Sequence, residues 1–253
     1  MKERCPMGYS DIATANKASF GKKRYPGRGM VIGLSSDSSK IFQIYWTMGR
    51  SENSRNRVFI QEKENIKNQL FRDDVDADTS LIIYYPMKSF NQVHIVSNGD
   101  QTETIFDYLT AGRTVVDALN SRTFEPDPPN FTPRITGIVY LNPDVRYELS
   151  IMKSIGNDER YRQFSSYSYD NPIPGFGHCL TTYVDDGVPL PSFAGEPLLL
   201  EINDDLKSNI ESFWNQLDSD NRISICGKAI DTKSGKMEIA LLNKNPSYQQ
   251  SMP

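Results

Sequence analysis

Residues 29–49 read GMVIGLSSDSSKIFQIYWTMG, two β-branched and aromatic runs on either side of a serine-rich break. Val, Ile and aromatic side chains in runs of this length, bounded by turn-prone SSDSS, specify two strands, GMVIGLS (29–35) and KIFQIYWTMG (40–49). The pattern continues outward. RVFIQEK (57–63) follows the polar RSENSRN, and TSLIIYYPMKSF (79–90) and NQVHIVSNG (91–99) come after it. Five strands with short connections predict an antiparallel meander.

Helices enter only after Asn98-Gly99-Asp100. Asp100 and Glu103 have capping-box spacing, with Thr102 as a competing cap, and Ile105, Phe106 and Leu109 supply a buried stripe. A second helix is predicted over 114–122, capped by Thr114. The four prolines of FEPDPPNFTP (124–133) exclude helix and central strand alike. PRITGIVYLN (133–142) and YELSIMKSIG (147–156) read as strands of a second sheet layer, and residues 165–197 as an irregular covering segment or short strands. Leu206, Ile210, Phe213, Trp214 and Leu217 mark the clearest helix, 204–218, and RISICGKAID with KMEIALLNK closes the chain as a hairpin. Strands and helices are not alternated as βαβ units, so the fold class is α+β. Residues 1–24, polar with a basic GKKR, read as an arm or capping segment, and residues 25–253 as a single domain.

Composition narrows the function. A net charge of −4 over 253 residues argues against a basic nucleic-acid face, so an anionic ligand needs locally placed arginines. Three cysteines and two histidines are too few and too scattered for a disulfide framework or a transition-metal site. No run is long and apolar enough to span a bilayer, and the charged start lacks a signal-peptide core; a soluble cytoplasmic protein is expected.

Three short stretches carry arginines suited to gripping phosphate or carboxylate: YPGRG with Arg28, MGRSENSRNR with Arg50, Arg55 and Arg57, and TPR with Arg134. No P-loop or dinucleotide fingerprint is present. Glu125 sits in the proline-flanked loop, where a carboxylate can be positioned for proton transfer, although a surface loop glutamate reads the same way. Asp185-Asp186-Gly187 reads as a turn. His178 and Cys179 are strand neighbours facing opposite ways, so Cys179 reads as structural, and His94 as a residue on one sheet face.

In order and spacing, YPGRGMVIG (25–33), Arg50 to Arg57, VSNGD (96–100) and NFTPRI (130–135) resemble the archaeal-type inosine monophosphate cyclohydrolases, and PGFGH and PSFAGEP resemble bacterial members. The resemblance implies a four-layer αββα sandwich like that of the amino-terminal-nucleophile hydrolases, with two stacked, largely antiparallel sheets and outer helices. It also implies dehydrative closure of 5-formamidoimidazole-4-carboxamide ribonucleotide to inosine monophosphate, with a purine nucleotide monophosphate as partner and no cofactor, metal, nucleic acid or membrane. Oligomeric state stays open. By the same resemblance Tyr84 and Glu125 are the acid/base candidates, Arg28, Arg50 and Arg57 grip phosphate, Asn98 and Arg134 recognise the base or orient the formyl group, and Gly99 binds substrate beside them. A longer loop leaves Arg55 as an alternative to Arg57. The competing readings are an amide hydrolase of the amino-terminal-nucleophile type, using a cysteine such as Cys5 or a serine exposed by processing, and a nucleotide-binding protein without turnover.

Overall fold

The two strands quoted above form the centre of the molecule. In the computed structural model, which describes residues 8–72 and 83–245, helix α1 (Tyr9–Phe20) leads into β1 (Gly29–Leu34), which pairs antiparallel with β2 (Lys40–Met48). Every residue of β1 is buried because both of its faces are covered. Met30, Ile32 and Leu34 point into one apolar cluster and Val31 into another. A strand between two cores reads as an unbroken apolar run.

After the short α2 (Glu52–Arg55), strands β3 (Val58–Glu62), β4 (Asn65–Gln69), β5 (Tyr84–Phe90) and β6 (Val93–Ser97) follow. Helices α3 (Gln101–Thr110) and α4 (Val115–Asn120) come next, then β7 (Arg134–Tyr140), β8 (Arg146–Ile155) and β9 (Asp158–Tyr169). The chain ends with β10 (Phe176–Thr181), β11 (Leu198–Glu201), α5 (Leu206–Gln216), β12 (Arg222–Asp231) and β13 (Met237–Asn243).

Two antiparallel sheets result. One has the order β11-β10-β1-β2-β12-β13, and the other runs in chain order from β3 to β9. They stack face to face on a core that joins Met30, Ile32 and Tyr45 of the first to Phe59, Val96 and Ile135 of the second. On the far face of the first sheet, Phe20 of α1 and Leu206, Ile210 and Phe213 of α5 pack against Trp46 and its neighbours. On the far face of the second, Ile105 of α3 and Val115, Ala118 and Leu119 of α4 cover Ile95 and Ile138. Among the described residues no helix is long and apolar enough to cross a membrane.

Several expectations are corrected. The five predicted strands are not one meander: the chain crosses between sheets after β2, and β3 opens the other sheet. Strands β7 and β8 belong to that same sheet, pairing with β6 and with each other. Residues 9–20 are helical, with Phe20 set edge-on against Trp46 at 5.6 Å between ring centroids. Residues 79–82 of the expected fourth strand, and Cys5, lie outside the described residues. Cys179 and Cys226 are buried free thiols, and burial pushes the Cys179 thiol up to about 12.

Candidate functional site

The loops that enter β1, leave β2, enter β3 and β7, and leave β10 gather at one end of the two sheets around a cavity of about 490 Å³. Arg28, Arg50, Arg57 and Glu125 line it; Tyr84, Asn98, Gly99 and Arg134 do not.

Arg28 does not hang free in the cavity. Its two terminal nitrogens donate to the Glu125 carboxylate at 2.8 and 2.7 Å, and one donates again to the Asn98 carbonyl at 2.8 Å. Burial is the largest single influence on Arg28 and works against its charge, but Glu125, Tyr84 and Tyr45 together outweigh it and hold the guanidinium well above the ordinary arginine range. Arg28 therefore fixes Glu125, only 2% exposed, in one orientation and keeps two charges paired. The loop carrying Glu125 is tied by its own N–H to the Thr132 carbonyl and by the edge-on packing of Phe124 on Phe131.

Arg57 is the opposite case. It is 8% exposed, its Nε has no hydrogen-bond partner, and among the described residues no carboxylate offsets its burial, which lowers its pKa. The titratable groups around it are Arg28, which repels it, and the buried, neutral phenols Tyr84 and Tyr45, whose hydroxyls lie 2.8 Å apart. Nearer the mouth, Arg50 donates to Asp186 at 2.6 Å and to the Gly187 carbonyl, and lies over the Tyr25 ring at 5.0 Å. Arg55, the alternative to Arg57, is spent on the Gly49 carbonyl and Asn221. Asp185 accepts from the backbone N–H groups of Arg24, Tyr25 and Asp186, so this half of the acidic pair is structural.

The residues expected on the base stand behind the wall. The Asn98 amide is consumed: Nδ2 donates to the Pro133 carbonyl, and Oδ1 accepts from the Ile135 N–H and from Gln101. Arg134 donates from Nη1 to Asp100 and Gln101, and from Nε to the Thr123 carbonyl. Both hold the loops that present Glu125. Gly99 is needed for space: a Cβ there would stand 2.8 Å from Arg134 Nη1 and from Gln101 Oε1. Asp100 makes no side-chain cap and instead pairs with Arg122 and Arg134.

Sequence reasoning missed Tyr25, Asp127, Thr132 and Tyr183 on the cavity wall. Asp127 and Thr132 lie in the same proline-rich loop as Glu125, which was the available signal. Tyr183 follows β10 and its hydroxyl meets Thr132 Oγ1 at 2.6 Å, a partnership across the chain that no local pattern encodes.

A family model described as IMP cyclohydrolase-like protein matches residues 25–234. No curated protein matches the chain.

Proposed function

Since the chain belongs to the IMP cyclohydrolase-like family, we propose that it closes the second purine ring, converting 5-formamidoimidazole-4-carboxamide ribonucleotide to inosine monophosphate with loss of water. The observation that carries this reading is Arg57, a buried guanidinium with no carboxylate partner among the described residues, beside a cavity of nucleotide size. A buried cation left uncompensated is costly, and an anionic ligand removes the cost. Phosphate spans Arg57 and Arg50, with Arg50 exchanging Asp186 for the ligand, and the Ser51 and Ser54 hydroxyls stand on that wall.

The two reacting groups already belong to one molecule, so the protein's main contribution is to hold carboxamide nitrogen and formyl carbon in attack geometry. Glu125, fixed by Arg28, takes the proton from the former formamide nitrogen. The Arg28 charge stabilises the negative oxygen that develops on the former formyl group. Tyr84 acts from beneath, through its place beside both cations. In this assignment Arg28 moves from phosphate binding to the reaction centre, and Asn98, Gly99 and Arg134 position loops and leave the base to others. The layer order, helices outside two stacked sheets, supports the four-layer αββα likeness to amino-terminal-nucleophile hydrolases, here without a processed nucleophile.

Incubating the purified protein with the formamido nucleotide and following ultraviolet absorbance tests the reading. Ring closure is expected, with Glu125→Gln and Tyr84→Phe binding the nucleotide yet closing it slowly. Tight binding with no absorbance change would replace the enzyme with a nucleotide-binding protein.

A further inference from the structure

The cavity wall carries a hydroxyl relay whose direction can be deduced. Asp127 accepts from the Thr132 backbone N–H at 2.6 Å and from Thr132 Oγ1. An ionised carboxylate can only accept, so the single hydroxyl proton of Thr132 is committed to Asp127. Thr132 Oγ1 can then only accept from Tyr183, and the Tyr183 proton is committed in turn. What Tyr183 has left is an oxygen with lone pairs and no proton to give.

That oxygen is firmly placed. The Tyr183 N–H donates to the Pro26 carbonyl at 3.1 Å, and its ring stacks on Tyr25 at 6.2 Å between centroids. Gly27, at φ +72°, leaves room for it, since a Cβ there would stand 2.5 Å from the Tyr183 ring. All three relay residues line the cavity.

We propose that Tyr183 is the catalytic residue that selects the substrate's carboxamide and takes the proton from its nitrogen, with Thr132 and Asp127 as the relay behind it; this rests on the cyclohydrolase reading. As the carboxamide nitrogen bonds to the formyl carbon, one N–H bond breaks and its proton passes to Tyr183. The Tyr183 proton moves to Thr132, and the Thr132 proton to Asp127. The former formyl oxygen, now negative, recovers that proton by the reverse path. Glu125 then takes the proton from the former formamide nitrogen and delivers it to the hydroxyl, which leaves as water as the carbon–nitrogen double bond forms. Burial keeps the Tyr183 phenol above its ordinary range and disfavours a free phenolate, which the relay avoids because one proton arrives as the other departs.

The test compares binding of two imidazole ribonucleotides, one bearing a 4-carboxamide and one a 4-carboxylate, with ribose 5-phosphate as control. Wild type should prefer the carboxamide. Tyr183→Phe should weaken that nucleotide about tenfold, leave ribose 5-phosphate unchanged, and lower kcat about a hundredfold. Thr132→Val frees the Tyr183 proton for the ligand and should move preference toward the carboxylate, a reversal that mere loosening of the wall does not produce. Unchanged carboxamide-to-carboxylate ratios in both variants would overturn the proposal, even with turnover intact. Ratios that shift in the variants while the wild type does not cyclise would sink the cyclohydrolase activity and keep the Tyr183 subsite.

Discussion

Arg28 and Arg57 line the same cavity and differ in what surrounds them. Replacing Arg28 by Met leaves Glu125 buried and unpaired, and should destabilise the fold by about 3–5 kcal/mol. Arg57→Met removes a charge that no carboxylate among the described residues offsets, so the free protein should keep or gain stability while losing its stabilisation by added nucleotide. Thermal melts with and without nucleotide check both, and an Arg57→Met protein that loses as much as Arg28→Met would contradict the contrast. Another buried basic group sits deep between the sheets. Lys228 is fully buried, donates to Ser89 Oγ at 3.1 Å, and is pushed down to about 8 by burial. Between about 8 and the ordinary lysine value the unfolded chain binds the extra proton, so this group makes stability rise with pH across that window. Lys228→Met should stabilise the protein at pH 7 and flatten that alkaline rise in urea midpoints.

At the scale of elements, the turn Ser97-Asn98-Gly99-Asp100 is legible as strand end, turn and helix start, because apolar periodicity changes there from two to about 3.6. Its purpose is not legible. Gly99 is needed because Arg134 and Gln101 crowd it, and those neighbours come from outside the turn's own geometry. Gly99→Ala should push Arg134 and Gln101 off their partners and cut turnover more than it lowers the melting temperature; equal losses would mark the turn as purely structural. Helix α4 was legible for a local reason, its Thr114 cap accepting from the Asp117 N–H, and Thr114→Ala should cost about 1 kcal/mol. Helix α1 was not, because only Ala13 and Phe20 of it are buried and so short a stripe carries no period. Strand β9 was missed for a related reason: it is a sheet edge, and its exposed DERYRQFSSYSY has no apolar run.

Across the whole molecule, strand positions are local information and strand partners are not. One sheet follows chain order, so a meander expectation describes much of it; the other draws β1 and β2 together with β10 to β13 from the far half of the chain. That long-range assembly brings Tyr183 to Thr132 and hides both histidines. His94 lies between the sheets beside Ser89, and burial, helped by Lys228, lowers it to about 4. His178 sits under Tyr169 with ring centroids 3.8 Å apart, its Nδ1 within 2.5 Å of the Tyr147 hydroxyl, and burial lowers it likewise to about 4. Both stay neutral in the folded protein at pH values where the unfolded chain has begun to protonate them. Their contribution is complete above the ordinary histidine value of 6.5 and is lost as pH falls from there through about 4. Each is worth on the order of 3 kcal/mol over that window. Urea midpoints should therefore drop steeply between pH 6.5 and pH 4, and His178→Phe, which keeps an aromatic ring over Tyr169, should shallow the drop. A His178→Phe slope identical to wild type would show that the acid sensitivity arises elsewhere.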